Sequence, residues 1–209
     1  MDAQFWHQVW EKNQLGFQLE QPHPMLERFA SVFENASQIF VPLCGKSPDM
    51  HLLAHYAPVF GVDLSAIACA AFFSEAGAVP LTLSNGHLQD KNVTLCPSDI
   101  FLVEPRWLTG CKHIYDRAAL IALPATMRED YAALLKRLVP SATLLLLTVD
   151  YPQQEMTGPP FAVDETEIRR LFPCCELQLL AEQDLTGQKF ARRLLPVSRL
   201  TEQAWLLRW

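Results

Sequence analysis

The chain has 209 residues, a net charge of −6 and no block of basic residues, which argues against a dedicated DNA or RNA surface but not against a nucleoside ligand. Because half of the residues are hydrophobic and only 19% are charged, we expect one folded domain over residues 1–209 with a substantial core. The longest apolar run, residues 142–149, is too short to span a membrane, and the N-terminus lacks the pattern of a secretory signal.

Strands and helices alternate along most of the sequence, after an aromatic-rich helical extension that covers residues 2–33. We predict strands at 37–43, 58–64, 92–101, 111–120, 142–151, 174–185 and 203–209, with helices after Ser47 and over 65–77, 122–139 and 164–172. This order is typical of an α/β fold with a doubly wound, Rossmann-like sheet that has some antiparallel edge.

The turn after the first strand, CGKSPDM, resembles the end of a phosphate-binding loop. That motif needs another glycine five positions before Gly45, and Phe40 stands there instead. The G-x-G-x-x-G motif of dinucleotide sites is also absent, because Gly45 is alone. The turn therefore favours a ligand that has a nucleoside but no phosphates, and S-adenosylmethionine is such a ligand.

Asp63 ends the second predicted strand, 20 residues after Leu43. In dinucleotide-binding folds, an acidic residue at this position accepts hydrogen bonds from the ribose hydroxyls. The alternative is that Asp63 caps the helix that begins at Ser65. The spacing and the position at a strand end favour the ribose interpretation.

Charged residues also end the next two strands. Asp99 is placed to accept the amino group of an adenine, with Ile100 or Phe101 against the ring, although a single aspartate in a turn is common. Asp116 and Arg117 end an otherwise apolar strand, where charges are costly unless they are paired or face a cleft. We predict that both face the ligand crevice, the alternative being a mutual or helix-terminal ion pair.

The extension carries an i, i+4 stripe of Phe5, Trp6, Val9 and Trp10, a pattern that usually faces a core. Phe17 follows a glycine in a non-helical segment and is less easily assigned to a core. Aromatic rings stabilise a cationic sulfonium or a flat heterocycle through cation–π contact and stacking. The extension is therefore a candidate wall for such ligands.

The six cysteines show no CxxC pair and no zinc spacing, so we expect buried thiols in a reducing cytosol. His51 and His55 form an i, i+4 pair but lack the glutamate of H-E-x-x-H and a third ligand. The sequence therefore predicts no metal site.

The segment GPPF, residues 158–161, resembles the N-P-P-F/Y loop of amino methyltransferases. It follows the fifth predicted strand and not the fourth, and Gly158 stands where Asn or Asp would accept the amine proton. We interpret it as a rigid turn that shapes a substrate wall.

A series of short motifs covers nearly the whole chain in a fixed order: FWHQVW, LGF, VPLCGKSPDM, GVDLS, SDIF, YDRAALIALP, MREDY, GPPF and EIRRLF. In content and order they resemble the motifs of the thiopurine S-methyltransferase family, to which PLCGKS and DRAALIALP are specific. The resemblance implies a Rossmann-like class I methyltransferase fold, with a seven-stranded, mostly parallel sheet that has one antiparallel strand and helices on both faces.

The resemblance further implies a cytoplasmic, monomeric enzyme with a small-molecule thiol as its acceptor. It would transfer the methyl group of S-adenosylmethionine to the sulfur of aromatic or heterocyclic thiols such as mercaptopurines. Bacterial members are also associated with methylation and detoxification of tellurium and selenium compounds. The resemblance implies no nucleic-acid or membrane partner.

The family's functional residues carry over by motif. Residues at cofactor-holding positions are Trp10, Leu43, Asp63, Asp99, Ile100 and Arg117, and we add Gly45. Phe17 falls where the family contacts the substrate, and we add Trp6. Three departures from the family pattern affect the fine geometry. The family usually has Glu at the position of Asp63 and His at the position of Gln18. The loop before Asp63 is one residue shorter than in the family, and residues 56–57 replace the usual Gly-His pair.

The chemistry of the two substrates predicts the mechanism. A sulfonium is already an activated methyl donor and a heterocyclic thiol is readily a thiolate, so transfer needs positioning and desolvation more than a base. We therefore expect no covalent nucleophile and no cysteine intermediate, with Asp116 and Arg117 as orienting groups. We also expect residues 1–33 to form a lid over bound ligands.

Three alternatives remain open from the sequence. A nucleotide-dependent transferase would use residues 45–47 and would be stabilised by ATP. A non-catalytic module would bind S-adenosylmethionine and transfer nothing. The same fold could act on oxygen or nitrogen, although the absence of N-P-P-F/Y after the fourth strand weighs against nitrogen.

Overall fold

A nine-stranded sheet forms the centre of the fold in a computed structural model that describes residues 3–209. The strands in chain order are β1 Ile39–Pro42, β2 Val59–Asp63, β3 Leu81–Thr82, β4 Leu88–Asp90, β5 Val93–Pro97, β6 His113–Arg117, β7 Thr143–Asp150, β8 Glu176–Asp184, β9 Lys189–Phe190, β10 Arg193–Leu194 and β11 Thr201–Arg208. In the large sheet they are ordered β3–β4–β5–β2–β1–β6–β7–β11–β8, while β9 and β10 pair as a separate hairpin.

Seven of these strands confirm the predicted sheet. From β5 through β2, β1 and β6 to β7 all neighbours are parallel, and β11 is antiparallel to both β7 and β8. The antiparallel hairpin of β3 and β4 extends the β5 edge and was not predicted. Both β3 residues are exposed and β4 is only half-buried, so these segments lack the apolar alternation that predicts a strand.

The α-helices are α1 Ala3–Glu11, α2 Pro24–Phe29, α3 Asp49–Leu53, α4 Ala66–Glu75, α5 Ala125–Leu138 and α6 Glu165–Leu171. As predicted, the Ser65 side chain caps α4 by accepting a hydrogen bond from the Ala68 amide, and Gly77 adopts a φ of +69° just beyond the helix end. The cap residue of α3 is Pro48 and not Ser47, although the Ser47 hydroxyl accepts the Asp49 amide at 3.3 Å.

Both faces of the central strands are buried, which explains their unbroken apolar runs. Along β7, Leu144 and Leu146 pack into one hydrophobic cluster, while Leu145 and Leu147 pack into another. The first cluster includes α5 and α6, and the second includes α2, α3 and α4. The sheet is therefore a rigid platform whose strand ends hold their side chains in fixed positions.

The N-terminal extension contains α1, α2 and a 3₁₀ turn over Ala30–Phe33, joined by an irregular segment. Its predicted start at residue 2 lies outside the described residues. The irregular segment contacts the β9–β10 hairpin, because the Arg192 amide donates to the Gly16 carbonyl at 3.0 Å and the Arg192 guanidinium pairs with Glu20. Among residues 3–209, no helix has the length and apolar character to cross a membrane.

Candidate active site

A cavity of about 300 Å³ opens where β5, β2, β1 and β6 end. Strands that run in parallel present their carboxyl ends at one edge, so the residues that follow them line a shared crevice. The cavity is covered from the other side by α1 and the irregular segment after it, by the turn at Gly158 and by the β9–β10 hairpin. Every residue that we assigned to cofactor or acceptor binding lines it: Trp6, Trp10, Phe17, Leu43, Gly45, Asp63, Asp99, Ile100 and Arg117.

Asp63 lies at the end of β2 with both carboxylate oxygens bound to backbone amides. Oδ2 accepts from the Gly45 amide and Oδ1 from the Ser65 amide, each at 2.8 Å. The side chain thus closes the β1 turn and supports the start of α4, which includes the capping role considered above. A carboxylate has about four acceptor positions, so each oxygen can still accept a hydroxyl hydrogen from the cavity.

Burial raises the pKa of the Asp63 carboxyl to about 6, although the two backbone amides act in the opposite direction. At neutral pH the group is ionised and is a strong acceptor for hydroxyl donors. Its acceptor strength therefore depends on pH in the range just below neutrality.

The β1 turn brings its backbone close to Trp10. Gly45 has a φ of +51°, and a Cβ atom placed there would lie 3.0 Å from Cζ2 of the Trp10 ring. A side chain at this position would be strained in its backbone and would push against the indole. Leu43 and Ala118, which follow β1 and β6, also have positive φ angles, of 45° and 74°. The cavity floor therefore has the unusual backbone geometry that is often found at functional sites.

Asp99 follows β5 and caps a 3₁₀ turn over Ile100–Leu102, since its Oδ1 accepts from the Phe101 amide at 2.9 Å. The Asp99 side chain is exposed, and Ile100 is buried behind it. One carboxylate oxygen is thus free for a donor in the cavity, next to an apolar surface.

Arg117 ends β6 and is held by two neighbours. Its Nε donates to Asp49 Oδ2 at 2.6 Å and its Nη2 donates to the Ser47 hydroxyl at 2.8 Å. Although burial alone would raise it, the pKa of the Asp49 carboxyl is held below its ordinary value by the Arg117 guanidinium. A guanidinium has five N–H donors, so three remain for a ligand.

The structure does not bring Asp116 to the cavity. Its carboxylate is 1% exposed on the opposite side of β6, where it accepts from the Tyr131 hydroxyl at 2.7 Å and from the amides of Ala119 and Leu120. The prediction that Asp116 faces the ligand crevice together with Arg117 is therefore wrong, because successive residues of a strand point to opposite faces. Asp116 instead holds the turn after β6 against α5.

The side of the cavity where the sequence predicts acceptor binding is aromatic. Phe17 contacts Trp6 and Trp10 edge-to-face, with ring centroids 5.7 and 5.8 Å apart. Trp10 and Val9 also pack on Ala68 of α4, so the stripe on α1 serves both a small core and the cavity. The indole nitrogen of Trp6 is buried without a hydrogen-bond partner among the described residues.

The turn at Gly158–Pro160 lines the cavity, as expected for a substrate wall. Gly158 has a φ of +77°, and a Cβ there would lie 2.6 Å from the Phe161 ring. No other residue type fits this position without displacement. The Arg193 side chain, on the hairpin, completes this wall by packing over Gly16 and approaching the Pro159 carbonyl at 3.5 Å.

Other groups near the turn after β1 bear on whether the site binds a phosphate, uses a cysteine nucleophile or holds a metal ion. The Lys46 ammonium pairs with the Glu75 carboxylate, so it is engaged within the protein and not presented to a phosphate. Cys44 lines the cavity, and burial raises the pKa of its thiol well above the ordinary value. His51 stacks on Phe72 with centroids 4.4 Å apart. In the part of the chain from 3 to 209, no group of three or more His, Cys, Asp or Glu side chains is arranged for a metal ion.

Comparison with known proteins identifies the family. The thiopurine S-methyltransferase (TPMT) family profile matches residues 1–209. The chain belongs to the thiopurine S-methyltransferase family. A thiopurine S-methyltransferase of Pseudomonas paraeruginosa is 41% identical over 215 residues, covering 99% of each chain, and one of Photobacterium profundum is 39% identical with the same coverage. As a member of this family, the protein is an S-adenosylmethionine-dependent methyltransferase.

Solved structures show the same fold at low sequence identity. A SAM-dependent methyltransferase from Anabaena variabilis superposes with a TM-score of 0.70 and 16% identity, covering 99% of this chain and 94% of that one. Magnesium protoporphyrin IX methyltransferase from Synechocystis, solved with S-adenosylhomocysteine, gives a TM-score of 0.62 and 14% identity, with coverage of 98% and 99%. The predicted class I methyltransferase fold of this family member is therefore confirmed.

Several cavity residues of this family member were not foreseen from the sequence. Gln18 was noted only as a departure, yet it lines the cavity and its Nε2 donates to the Lys46 carbonyl at 3.1 Å. Met127 and Arg193 also line the cavity. Met127 begins the quoted MREDY motif but was assigned no role, and Arg193 lies in no quoted motif. Asp49 was part of a quoted motif, but only the fold shows that it holds Arg117.

Proposed function

We propose that the protein transfers the methyl group of S-adenosylmethionine to the sulfur of aromatic or heterocyclic thiols such as thiopurines. We further propose that residues 1–209 act as one domain, that residues 1–33 form its lid, and that the enzyme is a cytoplasmic monomer. The observation that carries the proposal is the order of polar groups along one edge of the sheet.

That order is Asp99 after β5, Asp63 at the end of β2, Gly45 after β1 and Arg117 at the end of β6. The methyl donor has adenine, ribose and a charged amino-acid tail in the same succession. A carboxylate suits the adenine amino group and the ribose hydroxyls, and a guanidinium suits the carboxylate of the tail. The residues present therefore fit this group.

S-adenosylmethionine supplies a methyl group that its sulfonium already activates for displacement. The contribution of the chain is to bind, orient and exclude water. Asp63 fixes the ribose by accepting its hydroxyls, while Arg117 binds the tail carboxylate. Leu43 and Ile100 provide apolar surface, and Trp10 covers the turn at Gly45.

The acceptor side holds a planar ring between aromatic side chains. Trp6 and Phe17 present edges and faces that favour offset or perpendicular contacts with a heterocycle. No base is required for an acidic thiol. Cys44, which lines the cavity, is not suited to act as a nucleophile, since burial favours its neutral thiol. Asp116 contributes by holding the turn after β6, without contacting a ligand.

The test is titration calorimetry with S-adenosylhomocysteine and with ATP, followed by methyl transfer to 6-mercaptopurine and to selenite. We expect micromolar binding of the adenosyl ligand, no binding of ATP, and turnover of the thiol. Asp63→Asn should weaken adenosyl binding about tenfold, since a charged hydrogen-bond acceptor is lost. Asp130→Asn, on the exposed face of α5, is the matched control and should change nothing.

Each outcome separates the proposal from its alternatives. Adenosyl binding without any turnover would favour a non-catalytic module or an acceptor of another kind. Binding of ATP alone would support the nucleotide-dependent transferase and reject the proposal. Methylation of selenite would extend the acceptor range to the selenium compounds that the sequence resemblance implies.

A further inference from the structure

Asp49 is completely buried on α3 and does not line the cavity, yet it touches a residue that does. An ionised carboxylate is costly to bury unless opposite charge and hydrogen bonds satisfy it. Its partners come from two distant parts of the chain, the N-terminal extension and β6. Such a group has a role beyond the stability of its own short helix.

The carboxylate divides its oxygens between these two parts. Oδ1 accepts from the His23 amide at 2.7 Å. Oδ2 accepts from the Tyr115 hydroxyl at 2.9 Å and from the Arg117 Nε at 2.6 Å. The pair with Arg117 is charge-assisted and short, so it fixes the plane of the guanidinium.

Ser47 adds a second point of attachment, since its hydroxyl accepts from Arg117 Nη2 at 2.8 Å. Two attachments through different nitrogens leave the guanidinium little freedom to rotate about its long side chain. The remaining N–H donors are then presented in one orientation to the cavity that Arg117 lines. Fixing a side chain before binding removes the entropy cost of ordering it when the ligand binds.

His23 extends the network to α2 of the N-terminal extension and to strand β11 of the sheet. Its ring accepts the Met25 amide through Nδ1 at the start of α2, and its Nε2 lies 3.0 Å from Glu202 Oε1 on β11. The backbone of His23 is held by Asp49. The same carboxylate therefore anchors the extension and orients Arg117.

We propose that Asp49 is a positioning residue that holds the Arg117 guanidinium in the orientation that binds the tail carboxylate of the methyl donor, and that couples this contact to the docking of the N-terminal extension. The inference rests on the proposed function, because it assumes that the donor's tail reaches Arg117. It assigns Asp49 no contact with the donor itself.

The decisive variant is Asp49→Asn, which keeps the size of the side chain and removes its charge. The amide has one acceptor oxygen, so its NH₂ must face the N–H of His23 or the donors of Tyr115 and Arg117. We compare calorimetric binding of S-adenosylhomocysteine with that of 5′-methylthioadenosine, which has the adenine and ribose but no amino-acid tail.

We expect Asp49→Asn to weaken S-adenosylhomocysteine binding about 30-fold and 5′-methylthioadenosine binding less than about threefold, as the loss of an oriented charged hydrogen bond implies. The KM for the methyl donor should rise with little change in kcat. Equal losses for both ligands would mean that Asp49 is only structural, and unchanged affinities would also reject the proposal.

Tyr115→Phe is the matched control, because it removes a hydrogen bond from the same carboxylate and leaves Arg117 in place. It should leave the ratio of the two affinities unchanged.

If Asp49→Asn does not fold, the deciding variant is Ser47→Ala, since it releases Arg117 Nη2 without leaving a buried charge unpaired. We expect it to weaken only S-adenosylhomocysteine, about fivefold; equal losses for both ligands, or none, would overturn the proposal.

Coupling to the extension has its own test. Limited proteolysis of Asp49→Asn should cut between α1 and α2 faster than in the wild type, and saturating S-adenosylhomocysteine should protect the wild type more than the variant. Equal cleavage rates in both proteins would reject the coupling. A wild-type protein that binds neither adenosyl ligand would instead refute the proposed function.

Discussion

The side of the cavity that we propose for the cofactor, called the cofactor side, is built on the carboxyl ends of four neighbouring strands. The side that we propose for the acceptor, called the acceptor side, is built from three segments that are distant in sequence. On the cofactor side, Asp63 and Arg117 are buried or nearly so and are held by short hydrogen bonds. On the acceptor side, aromatic side chains, a glycine-proline turn and a short hairpin meet through a few contacts. The difference lies in what holds each side in place.

Sheet register fixes the cofactor side, so its chemistry follows from which residue ends each strand. Docking of α1, the Gly158 turn and the β9–β10 hairpin fixes the acceptor side, so its shape can vary while the sheet stays the same. We therefore expect substitutions on the two sides to separate donor binding from acceptor binding.

The largest effect should come from Arg117→Ala. It removes the cation of a buried pair and leaves the Asp49 carboxylate uncompensated, which costs about 3 kcal/mol or more in stability. Donor affinity should fall about 100-fold or more, as measured by calorimetry beside thermal unfolding. Arg199→Ala, which removes an exposed pair with Asp150, is the control and should be nearly neutral. Undiminished donor binding in Arg117→Ala would contradict the assignment of β6 to the cofactor side.

The next effect is the pH dependence of donor binding. Because burial raises the pKa of Asp63 to about 6, its carboxylate accepts ribose hydroxyls well only above that pH. Affinity for S-adenosylhomocysteine should fall as the pH decreases below 6, by up to about tenfold per unit. Calorimetry from pH 8 to pH 5 measures this, and Asp63→Asn should show a weaker and flatter profile. A steep profile in Asp63→Asn would assign the titration to another group.

Stability should respond to pH in the opposite direction. A carboxyl whose pKa is higher in the folded state than in the unfolded state stabilises the fold most when the pH is below the unfolded pKa. This contribution is lost as the pH rises through the folded pKa. The pKa of Asp116 is also raised to about 6, chiefly by burial. Asp63→Asn should therefore retain a stability titration near pH 6 from Asp116 after the titration of donor binding has gone.

A smaller effect is expected from Phe17→Leu, which keeps an apolar side chain and removes the ring. A ring contact between Phe17 and an aromatic acceptor is expected to contribute about 1 kcal/mol, so the KM for an aromatic thiol should rise about fivefold. Donor affinity should stay within about twofold of the wild type. Phe29→Leu, on α2 outside the cavity, is the matched control. Equal losses of donor and acceptor binding would show that the two sides are not independent.

Cys44→Ser should have the smallest effect on turnover. Its thiol packs beside Gly61 of β2, and burial keeps it neutral, so it has no role as a nucleophile. We expect kcat within about threefold of the wild type, measured with 6-mercaptopurine. Loss of turnover in a folded variant would overturn the positioning mechanism.

The sequence predicted residues on both sides of the cavity, with Asp116 as the exception. Strand ends and turn residues are local signals in a sequence. Strand β2 was therefore predicted to end near Asp63, and Ser65 was correctly predicted to cap α4. Asp116 could not be assigned the same role as its neighbour Arg117, because adjacent residues of a strand point to opposite faces of the sheet. A motif shows that residues are adjacent but not which side each one faces.

The rest depends on contacts between distant residues. Arg193 meets Gly16 only because the hairpin folds back on the N-terminal extension. Asp49 lies 68 positions from Arg117, and nothing in the local sequence connects the two. The short strands β3 and β4 contain too few apolar residues to be predicted as strands. Their conformation depends on the pairing of β3 with β4 and of β4 with β5.

The place of β11 in the sheet has a consequence for biosynthesis. This strand, Thr201–Arg208, lies between β7 and β8, and within residues 3–209 it is the only strand that pairs β8 with the large sheet. During translation, the parallel strands from β1 to β7 can pair as they emerge from the ribosome. Pairing of β8 with the sheet must wait until β11 has been synthesised. A premature stop codon before β11 would leave β7 and β8 without their shared partner and expose the nascent protein to aggregation.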